Sequence, residues 1–245
     1  MERFSVNDRR VELFGTQHAG APLVVLNTLE DPGTVYRAVN LLLAGEGLPK
    51  TNTAEALPQE AGLQRFTLAG ISSLDWDREL TPWPAPPVRK DGEAFRGEGD
   101  LYLRELTEEI IPEIRKRLPA EPSRLVIAGY SLAGLFAIWS LYQTDLFDAA
   151  VSASGSLWYP GFAEFAAEHA MKRPPHCISL SLGDRESQTR HPVMKTVGAC
   201  TEMLAERFRA CGIPTVYELE PGNHFQDPAG RMARAIFRAL REPKE

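Results

Sequence analysis

From Pro22 onward, short β-rich runs alternate with longer segments of helical spacing, and this alternation restricts the possible folds more than any other feature. The runs lie at 23–26, 65–71, 125–128, 149–152, 177–180 and 215–219. Each is too short for an ordinary helix. Between them, Leu103, Leu106, Ile110, Ile111, Ile114 and Leu118 recur at intervals of three and four, the spacing of a helix that packs one face on a sheet. Further helices are expected near 34–44, 131–142, 193–210 and 229–240. Strands alternating with helices imply parallel strands joined by right-handed crossovers, so the fold class is α/β, with a mostly parallel central sheet covered by helices on both faces. At the N-terminus, Phe4-Ser5-Val6 and Val11-Glu12-Leu13-Phe14, split by Asn7-Asp8, predict an antiparallel hairpin on the sheet edge. With 245 residues, against a prior of about 150 per domain, a single domain over 1–245 is the simplest organisation.

The segment 72–99 breaks the rhythm. It carries Pro82, Pro84, Pro86 and Pro87 with Trp76 and Trp83, so a long loop is expected there. Such a loop is either a packed surface excursion or a wall of a substrate site.

Composition narrows the functional classes. The cysteines, Cys177, Cys200 and Cys211, are odd in number and form no CxxC pair. That disfavours a disulfide framework or a cysteine-based zinc site and favours a reducing compartment. The first residues lack an apolar leader core, and no stretch approaches a membrane span, so a cytoplasmic location is expected. A net charge of -6 gives no attraction to nucleic acid or to an anionic membrane face. A small-molecule partner is expected instead, and oligomeric state has no visible sign in the sequence.

The chemistry is concentrated after the run at 125–128. There Gly129-Tyr130-Ser131-Leu132-Ala133-Gly134 passes directly into the apolar Leu135-Phe136-Ala137-Ile138-Trp139. Strand, sharp turn and helix are the order a nucleophile elbow requires. Residues flanking the serine must be small because the turn is tight, and Gly129 and Ala133 meet that demand. The backbone after the serine then sits at a helix N-terminus, where free N–H groups favour a developing oxyanion.

A serine hydroxyl is a poor nucleophile until a base removes its proton, so a later histidine and a carboxylate between the two are required. His224, in Pro221-Gly222-Asn223-His224-Phe225, lies between the last strand and the last helix, unlike His18, His169, His176 and His191. The carboxylate belongs after the penultimate strand, in Gly183-Asp184-Arg185-Glu186. The usual strand-end turn places the acid three residues beyond the glycine, which selects Glu186. Asp184 is the alternative, otherwise a turn residue capping local N–H groups. For the oxyanion hole the expected donors are Leu132 N–H and, from the loop 27–33 after the first parallel strand, Leu29 N–H, with Thr28 and Glu30 as alternatives. Trp158 and Ser156, just past the central strand, and Trp76 are candidate substrate-binding residues. Trp83 and Tyr159 are candidates of the same aromatic kind.

These residues resemble a known family, the esterase branch of the α/β hydrolases that includes enterochelin (enterobactin) esterases and, more distantly, mycolyltransferases. The resemblance is carried by Arg78-Glu79-Leu80-Thr81-Pro82, by the elbow, by Ser152-Ala153-Ser154-Gly155-Ser156-Leu157-Trp158, by Leu182-Gly183-Asp184-Arg185-Glu186 and by Gly222-Asn223-His224-Phe225. It implies an α/β-hydrolase fold, a catalytic set of Ser131, Glu186 and His224, and no metal or organic cofactor. Two departures stand out. Alanine occupies position 133 where glycine is usual, and Asn27-Thr28-Leu29-Glu30 stands where many members have an Asp-Gly pair.

The leading functional expectation is a carboxylic ester hydrolase working through an acyl-enzyme, on siderophore-type or other small esters. An acyltransferase of the same fold differs only in the acceptor that reaches the acyl-enzyme. A non-catalytic binding module of this fold is the alternative from another class, and a covalent label on Ser131 separates it from both.

Overall fold

The computed structural model describes residues 1–49, 66–88 and 92–241. Its centre is one eight-stranded sheet in the order β1-β2-β4-β3-β5-β6-β7-β8. The strands are β1 (Glu2–Val6), β2 (Arg9–Phe14), β3 (Leu23–Asn27), β4 (Thr67–Ser72), β5 (Leu125–Tyr130), β6 (Ala149–Ala153), β7 (Cys177–Gly183) and β8 (Thr215–Glu220). β1 and β2 form the expected antiparallel hairpin at one edge, and β2 runs antiparallel to β4. From β4 to β8 every neighbouring pair is parallel. β4 was expected to begin at Arg65, which lies outside the described residues.

Alternation along the strands divides the core in two, since successive side chains point to opposite faces. Leu23, Val25, Ile71 and Ile127 meet one helical layer. It is made of α3 (Gly99–Glu105), α4 (Ile111–Arg115), α5 (Leu132–Gln143), α6 (Phe162–Glu168) and α7 (Val197–Ala210). Val24, Leu26, Leu68, Val126 and Val151 meet the other, formed by α1 (Pro32–Leu43) and α8 (Pro228–Leu240). α5 is buried from Leu132 to Tyr142, as a helix apolar on all sides must be. Each of its fully buried large side chains, such as Leu135, Phe136 and Ile138, contributes roughly 1.5–3 kcal/mol of transfer free energy.

Local chemistry sets the helix starts nearest the site. Asp31 caps α1, accepting from Gly33 N–H at 3.1 Å and Thr34 N–H at 3.0 Å, with Pro32 at the first position. Asp227 and Pro228 do the same for α8. The expected helix through Leu103 and Ile114 contains one π turn, Leu106–Ile110, between α3 and α4. Pro112 lies just beyond it and lacks the N–H that an unbroken α ladder would need.

Two expectations change. The segment 72–99 is not wholly loop: α2 (Trp76–Glu79) forms a single turn ahead of the prolines, and Ala85 pairs with Phe95 in an isolated bridge. Residues 89–91 of that segment lie outside the described residues. α6 had no counterpart in the sequence reading. Phe162, Phe165 and Ala166 carry its helical spacing over less than two turns, too short to stand out. Among the described residues no helix is long and apolar enough to cross a membrane.

Candidate active site

The chain passes from β3 to β4 on one side and resumes at β5 on the other, so the crevice beyond the carboxyl ends of β3 and β5 is a topological switch point. Asn27, the last residue of β3, is in register with Gly129 of β5, and Tyr130 with Ala153 of β6. The loops leaving β3, β5 and β6 therefore open side by side.

Ser131 sits between β5 and α5 with φ 57° and ψ -122°, a left-handed conformation that is costly for a residue with a Cβ. It is held on both sides. Ser131 N–H donates to Ala153 O at 3.2 Å, and Ser131 O accepts from Gly134, Leu135 and Ser156 N–H groups. A Cβ at position 129 would run into the carbonyl and Cβ of Ala133, so glycine is required there while alanine at 133 is accommodated. Ser131 Oγ lies 3.4 Å from Ser156 Oγ. Ser131 and His224 line the same two cavities without a hydrogen bond between them.

His224 Nδ1 is 2.8 Å from Glu186 Oε2. Glu186 is almost wholly buried, at 3% side-chain exposure. Burial pushes its pKa up, but hydrogen bonds from His224, Ser154 and Gly183 outweigh that, and the net position is below the ordinary carboxylate value. An ionised carboxylate only accepts, so His224 carries its proton on Nδ1 and Nε2 is left as an acceptor. Asp184 does not touch the histidine. Its Oδ1 accepts from Gly222 N–H at 2.8 Å, tying the turn after β7 to the histidine loop.

Among the possible oxyanion donors, Thr28 N–H is engaged with Ile71 O at 3.0 Å and Glu30 N–H with Thr28 Oγ1 at 2.9 Å. Leu29 N–H has no protein acceptor among the described residues, and Leu132 N–H opens α5. Of the candidate substrate residues, Trp76 lines one cavity, while Ser156 and Trp158 line the other. Trp83 and Tyr159 are structural: the Tyr159 hydroxyl donates to Trp83 O at 2.6 Å, and Trp83 Nε1 to Pro160 O at 2.8 Å.

Sequence reasoning missed a buried cation beneath the site. Arg231 of α8 is 1% exposed, and its guanidinium reaches Glu186 Oε1 at 2.8 Å, Ser154 Oγ at 2.6 Å and the Tyr130 hydroxyl at 3.0 Å. It also meets the carbonyls of Pro221 and Asn223. Tyr130 passes the contact on, donating to His224 O at 2.7 Å. Ser154, at φ 46°, donates to Glu186 Oε1 at 2.7 Å. A signal for Arg231 was present: it falls four and eight residues before Ala235 and Ala239, on the buried stripe of α8.

Comparison with known proteins matches residues 32–224 to the family model described as "Putative esterase". The Bacillus subtilis protein YbbA is 27% identical over 161 residues, a match that spans 64% of this chain and 64% of that protein. Among solved structures, the siderophore hydrolase EstB from Aspergillus nidulans superposes with a TM-score of 0.70 at 20% identity, over 100% of this chain and 96% of its own. An IroE-like serine hydrolase from Shewanella oneidensis gives 0.69 at 18% identity, over 95% of this chain and 75% of its own. At these identities the shared property is the α/β serine-hydrolase fold.

Proposed function

Since the chain belongs to the esterase family of α/β hydrolases, we propose that it is a serine carboxylic ester hydrolase in which Ser131 is the nucleophile, His224 the base and Glu186 the acid that orients it. One observation carries this reading: a strained serine at a helix N-terminus shares a crevice with a histidine whose Nδ1 is held by a buried, ionised glutamate.

Ser131 Oγ attacks the ester carbonyl while His224 Nε2 takes its proton. The Ser131–His224 contact tightens once substrate is bound. Negative charge moves onto the carbonyl oxygen, where Leu132 N–H and Leu29 N–H receive it; the occupied N–H groups of Thr28 and Glu30 favour Leu29 as the second donor. His224 then delivers the proton to the departing alcohol, and water repeats the sequence in reverse to free the acid. Glu186 stabilises the imidazolium without taking its proton.

Labelling with a fluorophosphonate tests the nucleophile. Ser131 becomes modified in the native chain, and Ser131→Ala loses both label and activity, with kcat down by about 10⁴ to 10⁶. A folded Ser131→Ala variant keeping more than about a tenth of the rate would remove Ser131 from the role.

A further inference from the structure

β3 is apolar up to its last residue, Asn27, which is fully buried. Alternation along the strand places Asn27 on the face of Leu23 and Val25, against the layer that holds α3 and α5. There its Oδ1 accepts a hydrogen bond of 2.6 Å from the Tyr102 hydroxyl of α3. Burial pushes the Tyr102 pKa upward, so the hydroxyl keeps its proton and donates. The Tyr102 ring packs on Phe136 of α5, with 5.2 Å between centroids, and lies 5.3 Å from the guanidinium of Arg9. Arg9 belongs to the N-terminal hairpin and is bound to Glu79 of α2 at 2.7 and 2.8 Å and to Glu105 of α3 at 2.8 Å.

We propose that Tyr102 and Asn27 are positioning residues for the oxyanion loop: their hydrogen bond ties the root of the loop after β3 to the helical layer, so that Leu29 N–H faces the oxygen on which charge develops. This rests on the serine-esterase reading above. Three observations lead to it.

The first is how the loop is held. The Leu29 side chain is 70% exposed, so packing of its own side chain does not fix the place of its N–H. The residues around it do: Thr28 N–H is bound to Ile71 O of β4, and Glu30 N–H to Thr28 Oγ1. Asn27 adds a tie to another layer of the fold, and its register with Gly129 sets it beside the strand that carries Ser131. The second is energetic. Asn27 Nδ2 is buried with no hydrogen-bond partner among the described residues, beside an apolar cluster. A buried donor left unpaired is destabilising, and two apolar groups of the same shape would avoid that cost. Stability therefore does not account for this polar pair. A hydrogen bond fixes direction as well as contact, which an apolar pair does not. The third comes from the reaction. Charge appears on the carbonyl oxygen only as the tetrahedral intermediate forms, and donors stabilise it without reorganisation only if they are already in place. A misplacement of about 1 Å can cost about 10²-fold in rate.

The test compares Tyr102→Phe, Asn27→Leu and the double variant with the wild type, using p-nitrophenyl butyrate and an alkyl trifluoromethyl ketone. Ser131 Oγ adds to the ketone carbon, its proton passes to His224, and the ketone oxygen becomes an oxyanion in the hole. Each single variant should lower kcat by about 10- to 100-fold, with KM within about twofold of the wild type. Each should weaken the ketone by the factor lost in kcat/KM, because both report the same charge. Each also strands a buried polar group, so Tm should fall by about 2–12 °C. The double variant strands neither group: it should regain most of that Tm while its kcat stays as low as in the single variants. Recovery of kcat together with Tm, kcat within about twofold of the wild type in both single variants, or a ketone affinity that does not follow kcat/KM would overturn the proposal. If the wild type hydrolyses the ester and Ser131 takes the fluorophosphonate, those results leave the esterase reading standing. A wild type that does neither overturns both.

Discussion

Arg231→Met removes the cation under Glu186 while nearly keeping the side-chain volume, so its effect reports electrostatics more than packing. Glu186 is left 3% exposed with its bonds from Ser154, Gly183 and His224 but without the 2.8 Å guanidinium contact. The carbonyls of Pro221 and Asn223 lose a donor as well. Breaking a buried pair from one side costs about 3–5 kcal/mol. For a chain of this size, each kcal/mol moves Tm by about 2–4 °C, so a fall of roughly 6–20 °C is expected. Urea denaturation of the wild type, Arg231→Met, Glu186→Gln and the double variant isolates the pair. Since Glu186→Gln abolishes the stranded charge, the double variant should lose about 2–3 kcal/mol less than the two single losses combined. A single-variant cost below about 1 kcal/mol, or additivity within about 0.5 kcal/mol, would refute the idea that Arg231 neutralises the acid.

Steady-state kinetics separates the two carboxylates after β7. Glu186→Gln should cut kcat by up to about 10⁴, because the amide can hold His224 in the wrong tautomer. Asp184→Asn should have a small effect, since its oxygen accepts from Gly222 N–H alone among backbone donors and does not touch the ring; the opposite ranking would reassign the acid. Because Glu186 lies below its ordinary value of about 4.5 in the folded chain, its ionisation contributes stability that is present above that value and lost as pH falls through its folded pKa. Wild type should therefore lose stability more steeply than Glu186→Gln below about pH 4.5, and parallel acid-denaturation curves would count against this. Gly129→Ala should destabilise by about 1–3 kcal/mol and depress kcat with it, because the new Cβ meets the backbone of Ala133 and moves the turn that holds Ser131; an active variant of wild-type stability would show that the turn is not constrained there.

How much of this was legible in the sequence follows from how far apart the cooperating residues lie. The elbow is local: Gly129, Ser131, Ala133 and the apolar helix behind them are consecutive, so the strand-turn-helix order and the need for small neighbours could be read directly. The alternation of strands and helices, and with it the mostly parallel sheet, is local in the same sense. Position in chain order was enough to nominate His224 and Glu186, because a doubly wound sheet delivers the loop after each strand to the same end. The two cavities that share Ser131 and His224 were not readable, since they arise where the loop after β3, the turn after β7 and the start of α8 meet. Nor was the Arg231 cluster. In the sequence only its place on the apolar stripe sets it apart from Arg234 and Arg238, which pair with Glu220, and only the docking of α8 on β5, β6 and β7 places it against Tyr130, Ser154 and Glu186. Local patterns depend on backbone geometry that each short segment carries with it. The partners of a buried charge depend on which distant segments the sheet register brings within about 3 Å, the reach of a hydrogen bond, and that is decided only when the chain is folded.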